Sequence, residues 1–154
     1  MGRKGLAALD TLTPRERENA ARQNGCPKDD YRARFLESMR SHSPGAEPAV
    51  AADSLPTATA ERFFVAQCVK DETMAESIVN GRLAASRNAI VVHFDGAFHS
   101  DYAQGTVARV ARRQPGWRLL VVSALPVADP ATAPIVTQSR KADFVIFTRR
   151  PLPH

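Results

Sequence analysis

The chain has 154 residues, 44% of them hydrophobic, which suits one compact domain with its own core. No run of about 18 or more apolar residues is present, so we expect no membrane-spanning helix. The net charge of +5 comes mostly from arginines that are scattered along the sequence without a recognition motif, so we expect no nucleic-acid partner.

The amino terminus does not have the pattern of an export signal. A signal peptide needs an apolar run of roughly 7 to 15 residues after its basic start. Here Gly5–Leu9 is followed at once by Asp10, and that run is too short. We therefore predict no signal peptide in this chain, and the sequence leaves its compartment open.

Two helices are predicted in the first quarter of the chain. The first begins with Thr13 as its cap, Pro14 at the first helical position and Glu16 in the first turn. The second runs from Lys28 to about Arg40. Its apolar side chains fall at helical spacing, and they are Tyr31, Phe35, Leu36 and Met39. This stripe predicts that another element covers the second helix.

The two cysteines, Cys26 and Cys68, lie far apart in the sequence. They form no Cys-x-x-Cys pair and have no matched pair of histidines nearby. We therefore expect two reduced thiols, with neither a disulfide framework nor a zinc site.

Residues 41–57 are rich in Pro, Ala and Ser, which predicts a linker or loop between helices. A long helix is expected next, from about Ala60 to Asn80, with Thr57 or Thr59 as its cap. Gly81 provides the expected stop of this helix.

One face of the long helix is apolar except for Gln67 and Asp71. Burying an unpaired carboxylate costs several kcal/mol, so polar groups at such positions need partners. Asp71 is therefore expected either to be hydrogen-bonded to a neighbouring strand or to face a pocket.

The second half of the chain has the alternation of an α/β fold. Apolar runs rich in β-branched residues predict three strands, at residues 89–94, 117–123 and 143–148. A helix from Thr106 to Gln114 separates the first two, and this order implies a right-handed parallel crossover. Residues 126–139 are expected to form a loop, and residues 150–154 a frayed tail. We predict one α/β domain over residues 1–154, a small parallel sheet of about three strands flanked by helices.

The end of the first predicted strand is the best candidate for a site. His93 and Asp95 are two residues apart, so they share one face of the strand. Ligands of parallel sheets bind outside the carboxyl ends of the strands, and Gly96 would let the backbone pass close to such a ligand. This position makes His99, which follows in the same turn, a candidate ligand-binding residue.

The following helix adds a second expectation to this site. Its amino-terminal end at Gly105 and Thr106 faces the loop and would favour an anionic group such as a propionate. Tyr102, in the loop, offers a phenol that either binds iron or packs against the protein, and its spacing favours packing.

Several segments together resemble one family. They are residues 31–39, the run Gln67-Cys68-Val69-Lys70-Asp71-Glu72-Thr73-Met74-Ala75, the run Val92-His93-Phe94-Asp95-Gly96-Ala97-Phe98-His99-Ser100-Asp101-Tyr102, and residues 142–148. They are similar to the C-terminal half of the ChaN-like haem-binding domain of the Tiki and erythromycin-esterase superfamily. The Gly-x-x-His motif of that superfamily stands here as Gly96-Ala97-Phe98-His99.

The resemblance implies a haem-binding protein, with haem as cofactor and a role in iron uptake. It implies a site built from His99, the possible iron ligand, and Asp95, lined by Gln67 and Asp71. The family domain is longer and opens with a strand that ends in a Gly-Glu-x-His type motif, which does not occur before Tyr31. The domain is therefore expected to be incomplete, with a homodimer or a separate first half as possible partners.

Two alternatives remain open beside haem binding. In one, the chain is a metal-dependent hydrolase in which Asp95 and His99 position a divalent metal or a water molecule, as in relatives of the Tiki type. In the other, it is an inactive fragment.

Overall fold

Strong helix formers dominate the first half of the chain, and strand-forming residues appear in the second half. The computed structural model describes residues 5–41, 57–133, 135–138 and 140–150. The predicted linker at 41–57 and the tail at 150–154 therefore lie almost entirely outside the described residues. The chain divides into two compact units, Met1–Ser77 and Ile78–His154.

The first unit begins with a 3-10 helix, Gly5–Thr11, and the short helix α1, Pro14–Arg17. Thr13 caps α1 as predicted: its Oγ1 accepts a hydrogen bond from the Glu16 N–H, and the Glu16 carboxylate accepts one from the Thr13 N–H. The backbone hydrogen bond from Thr13, and then the one from its hydroxyl, lower the pKa of the Glu16 carboxyl. The cap and the first-turn glutamate thus stabilise each other.

Helices α2, Asp30–Ser41, and α3, Thr57–Ala84, contact each other through aromatic rings. The ring of Phe64 on α3 lies 5.9 Å from that of Tyr31 and 5.5 Å from that of Phe35, centroid to centroid. The amide of Gln67 donates a hydrogen bond of 2.9 Å to the Tyr31 hydroxyl. The apolar stripe predicted on α2 is therefore covered by α3, and Gln67 completes the contact with a polar bond.

Helix α3 is longer than the sequence predicted, because it continues through Gly81 to Ala84. Gly81 was expected to end the helix, and that expectation is wrong. Its φ is not positive, so it does not form a left-handed cap. A glycine inside a helix costs about 1 kcal/mol relative to alanine, which the many other residues of α3 can offset.

A disulfide bond joins Cys26 to Cys68, which corrects the expectation of two reduced thiols. The cysteines are 42 residues apart in sequence, a separation that carries no recognisable spacing pattern, but the fold brings their Cα atoms within 5.4 Å. The segment before Cys26 follows α3: the Ala21 N–H donates to the Thr73 hydroxyl, and the Arg22 N–H donates to the Glu76 carboxylate. The disulfide therefore fixes the end of a segment that is already hydrogen-bonded to α3.

The second unit contains helix α4, Gly105–Arg113, and then strands β1, Val122–Val127, and β2, Phe144–Arg149. The connection between the strands carries the short helix α5, Ile135–Gln138. The strands pair in parallel with Val122 opposite Phe144. The crossover predicted between residues 89–94 and 117–123 is not formed in the described residues, because residues 89–94 belong to no strand. The α/β class is confirmed, although the sheet of the described residues has two strands and about three were predicted.

Strand β1 lies further along the chain than the predicted 117–123. Backbone bonds join Phe144 N–H to the Val121 carbonyl and Arg150 N–H to the Val127 carbonyl. In a parallel ladder, the backbone N–H and C=O groups of alternate residues point toward the neighbouring strand. The carbonyls of Val121 and Val127 bond β2, so the backbone of Pro126 points away from β2. Its missing N–H therefore breaks no bond to β2, and the strand continues past the proline at which the prediction placed a loop.

Residues 89–94 do not form the buried strand that the sequence predicts. They belong to no strand, and residues 90–95 make no backbone–backbone hydrogen bond within the described part of the chain. The side chains on one side are largely exposed: Ile90 is 88%, Val92 70% and Phe94 89% accessible. An apolar sequence favours burial, but a strand also requires a neighbour to pair with, and no described segment supplies one here.

A buried polar cluster holds the loop before α4. The Asp101 carboxylate lies 3.0 Å from the Lys141 ammonium, and the Tyr102 N–H donates to the Lys141 carbonyl at 2.7 Å. Arg109 on α4, 2% exposed, donates to the Gly105 carbonyl at 2.9 Å. The two bonds of Lys141 connect the loop to the segment that precedes β2, and the Arg109 bond lies within the first turn of α4. Within the described residues, no helix is both long enough and apolar enough to cross a membrane.

The disulfide gives a first testable prediction. Replacing both Cys26 and Cys68 with alanine should lower the free energy of unfolding by about 2–4 kcal/mol, since the unfolded chain regains the freedom that the cross-link removes. Denaturant titration with and without reductant measures this. Reductant should destabilise the wild-type chain and leave the cysteine-free variant unchanged. Equal stability of the wild type with and without reductant would contradict the presence of the disulfide.

The ion pair gives a second prediction. Lys141→Met removes the cation beside the buried Asp101 carboxylate but keeps the backbone bond to Tyr102, so the unfolding free energy should fall by roughly 1.5–3 kcal/mol. The matched control is Lys70→Met, at an exposed lysine of α3, for which we expect a change within about 0.5 kcal/mol. A similar loss in both variants would show that the Lys141 pair contributes nothing specific.

Candidate functional site

The candidate site is the loop from Asp95 to Gly105, which precedes α4. It contains two 3-10 turns, Ala97–His99 and Asp101–Ala103, with Ser100 between them. The first turn is closed by a hydrogen bond of 2.8 Å from the His99 N–H to the Gly96 carbonyl. His99 therefore occupies the end of a short, hydrogen-bonded turn.

Asp95 is held by its neighbours on both sides of its carboxylate. Its Oδ1 accepts a hydrogen bond of 2.9 Å from the Ser100 hydroxyl, and its Oδ2 lies 3.7 Å from Nε2 of His93. His93 and Asp95 thus approach each other, although the strand on which they were predicted to share a face is not formed. The side chain of Asp95 is 10% exposed and that of His93 33% exposed. The carboxylate thus anchors the start of the loop, and the imidazole of His93 remains partly accessible.

Gly96 is not a position at which the backbone itself requires glycine, and its close approach to a ligand stays a prediction. Its φ is −70°, which any residue can adopt, and an added Cβ would meet only Cδ2 of His99, at 3.8 Å. The glycine that the backbone requires is Gly105, which has a φ of +52°. A Cβ at Gly105 would lie 2.4 Å from the carbonyl oxygen of His99. Sequence analysis identified Gly105 as a helix start but missed this contact.

Tyr102 is more exposed than the packing interpretation predicted. Its φ of +63° lies in the left-handed region, and Ala103 follows with a φ of +54°. The Tyr102 side chain is 46% exposed, so solvent reaches about half of it. Non-glycine residues in this conformation are uncommon and cluster at ligand-binding sites.

Gln67 and Asp71 belong to the first unit, whereas His93, Asp95, Gly96, His99 and Tyr102 belong to the second. Asp71 is fully buried, as its position on the apolar stripe predicts, and Gln67 is engaged with Tyr31. That these two residues share a cavity with His99 stays a prediction.

Sequence analysis missed a second buried carboxylate on α3. Glu72 is fully buried, and a Cβ added at Gly25 would lie 3.4 Å from its Oε1. Glu72 follows Cys68 by four residues, so both lie on one helix face. Had Cys68 been recognised as buried, this spacing would have indicated Glu72.

The first unit also contains an open pocket of about 430 Å³. Its lining residues are Pro14, Arg17, Glu18, Ala20, Arg22 and Glu76. None of them is a predicted site residue. Among the described residues, no group of three or more His, Cys, Asp or Glu side chains is placed to hold a metal ion.

The donor groups of the loop suit haem better than a metal ion without a porphyrin. His99 supplies an imidazole and Tyr102 a partly exposed phenol, and both groups are known axial ligands of haem iron. Phe94, which is 89% exposed, and Phe98 lie in the same stretch and offer apolar surface of the kind that a porphyrin contacts. A single coordinating side chain is sufficient for haem, because the porphyrin provides the other ligands of the iron.

Comparison with known proteins identifies the family. No curated protein and no solved structure matches the chain. The family model described as "Haem-binding uptake, Tiki superfamily, ChaN" matches residues 1–110, a range that includes α1 to α3 and the whole loop from Asp95 to Gly105. The chain therefore belongs to the ChaN family of haem-binding uptake proteins in the Tiki superfamily.

Proposed function

We propose that this protein binds haem at the loop from Asp95 to Gly105, with His99 as ligand to the iron. The observation that carries the proposal is this stretch of the chain: an imidazole on a hydrogen-bonded turn, with the half-exposed Tyr102 and the exposed Phe94 a few residues away in sequence, in a chain of a haem-binding family. His93, Asp95, Gly96 and Tyr102 would contact the ligand or its surroundings.

The charge around the loop favours the anionic edge of haem. Helix α4 begins at Gly105, and the first turn of the helix contains no acidic residue. The positive dipole end of a helix favours negative charge, so a haem propionate near the start of α4 would be stabilised. The net charge of +5 adds a weaker attraction of the same sign.

A role in iron uptake would follow if haem is the cargo that the protein carries. Binding of this kind requires an accessible ligand and a reversible complex, and it requires no catalytic group. A metal-dependent hydrolase would require several converging groups around a metal and a water molecule. No specific observation on the described residues favours that alternative, so we do not propose it. The possible homodimer stays a prediction.

Hemin titration tests the proposal. We expect the purified chain to give a saturable change in the Soret band at micromolar hemin. His99→Ala should weaken binding by roughly tenfold or more, because the loss of one iron ligand costs more than about 1.4 kcal/mol. His42→Ala and His154→Ala, at histidines outside the described residues, are the matched controls and should bind as the wild type does.

Two outcomes would contradict the proposal. Absence of a saturable Soret change in the wild type would remove haem as the ligand. Unchanged affinity and an unchanged Soret position in His99→Ala would show that hemin binds elsewhere. Comparison of Tyr102→Phe with the wild type then determines whether the phenol contributes to coordination, since only the hydroxyl is lost.

A further inference from the structure

Two contacts restrict where His99 can lie, one at each end of the loop from Asp95 to Gly105. At the start, the hydroxyl of Ser100 donates to the Asp95 carboxylate, which connects the residue after His99 to the first residue of the loop. At the end, the backbone of Gly105 passes directly against the His99 peptide group. Neither Ser100 nor Gly105 is a candidate ligand.

The contact at Gly105 is with backbone atoms, which have little freedom to move. A Cβ at this position would lie 2.4 Å from the carbonyl oxygen of His99, 2.9 Å from its carbonyl carbon and 3.2 Å from its Cα. Van der Waals contact between carbon and oxygen requires more than 3 Å, so any side chain at position 105 would displace His99 or the start of α4. Because the imidazole is attached to that Cα, such a displacement would move the proposed iron ligand.

The middle of the loop is fixed independently of these two contacts. Tyr102 and Ala103 hold left-handed conformations, which persist only where the surrounding structure determines them. Here the Tyr102 N–H is bound by the Lys141 carbonyl, and Asp101 by the Lys141 ammonium. With its centre anchored in this way, the loop cannot absorb a change at Gly105 by shifting as a whole.

We propose that Gly105 and Ser100 are positioning residues that hold His99 in the geometry needed to bind the iron; this inference rests on the proposed haem-binding function. Residues that orient a metal ligand without touching the metal set its affinity, and their loss typically weakens binding by roughly 10- to 100-fold. Gly105 acts because it has no side chain that would displace the His99 backbone. Ser100 acts through its hydrogen bond to Asp95.

The test compares Gly105→Ala with Gly116→Ala, a glycine with no positive φ and no atom within 4 Å of an added Cβ. Two readouts are needed. The first is the imidazole spectrum of the haem-free protein labelled at histidine with ¹⁵N, in which His99→Ala identifies the His99 signals. The second is the hemin titration. We expect Gly105→Ala to shift or broaden the His99 signals and to weaken hemin binding by roughly 10-fold or more, with no change in Gly116→Ala.

A further variant separates the contact from backbone strain. Asparagine tolerates a positive φ better than alanine does but carries the same Cβ. Gly105→Asn should therefore perturb His99 as Gly105→Ala does. If Gly105→Asn behaves as the wild type, the contact with His99 does not position the histidine, and this part of the proposal is overturned.

The remaining outcomes also decide the proposal. Wild-type His99 signals and hemin affinity in Gly105→Ala would overturn it. If circular dichroism shows that Gly105→Ala does not fold, Ser100→Ala decides instead: perturbed His99 signals support positioning, and unchanged signals overturn it. If the wild type binds no hemin while Gly105→Ala still displaces the His99 signals, the haem function fails and the positioning role stands.

Discussion

The approach of the Gly105 backbone to the His99 carbonyl is the constraint on which the candidate site depends. It requires glycine both for its φ of +52° and for the space beside the peptide group. Because the same residue begins α4, the direction of the helix and the place of the histidine are set together. The loop and the helix, which would otherwise be independent elements, thus become one arrangement.

The first unit is organised differently, around a single long helix. Aromatic rings and a glutamine to tyrosine hydrogen bond attach α2 to α3, and a disulfide attaches Cys26, which precedes α2. Two adjacent carboxylates, Asp71 and Glu72, are fully buried in this unit. Carboxylates are rarely buried without compensating interactions, so α3 supports polar groups in its packed face as well as apolar ones.

Much of the fold could be predicted from local sequence, because the signals involved are local. The Thr13 cap, the aromatic stripe on α2 and the limits of α4 each follow from residues within a few positions of one another. The disulfide and the unpaired state of residues 90–95 could not be predicted, because both depend on which distant segments meet. In the site, strand geometry was the reason for placing His93 beside Asp95, but the structure brings Nε2 of His93 to 3.7 Å from Oδ2 of Asp95 without a strand at residues 89–94. The contact of Gly105 with His99 could not be predicted, because it depends on the path of the loop between them.

The covalent link between Cys26 and Cys68 has a practical consequence for work on this protein. Disulfides form and persist in oxidising surroundings, whereas a reducing cytosol keeps thiols free. Chain produced in a host cytosol would therefore be obtained without its cross-link, and the segment around Ala21 and Arg22 would be attached to α3 by hydrogen bonds alone. Protein from a cytosol and protein from an oxidising compartment would have the same sequence in two redox forms. Ligand-binding measurements on the two preparations would be comparable only after the thiol content of each had been determined.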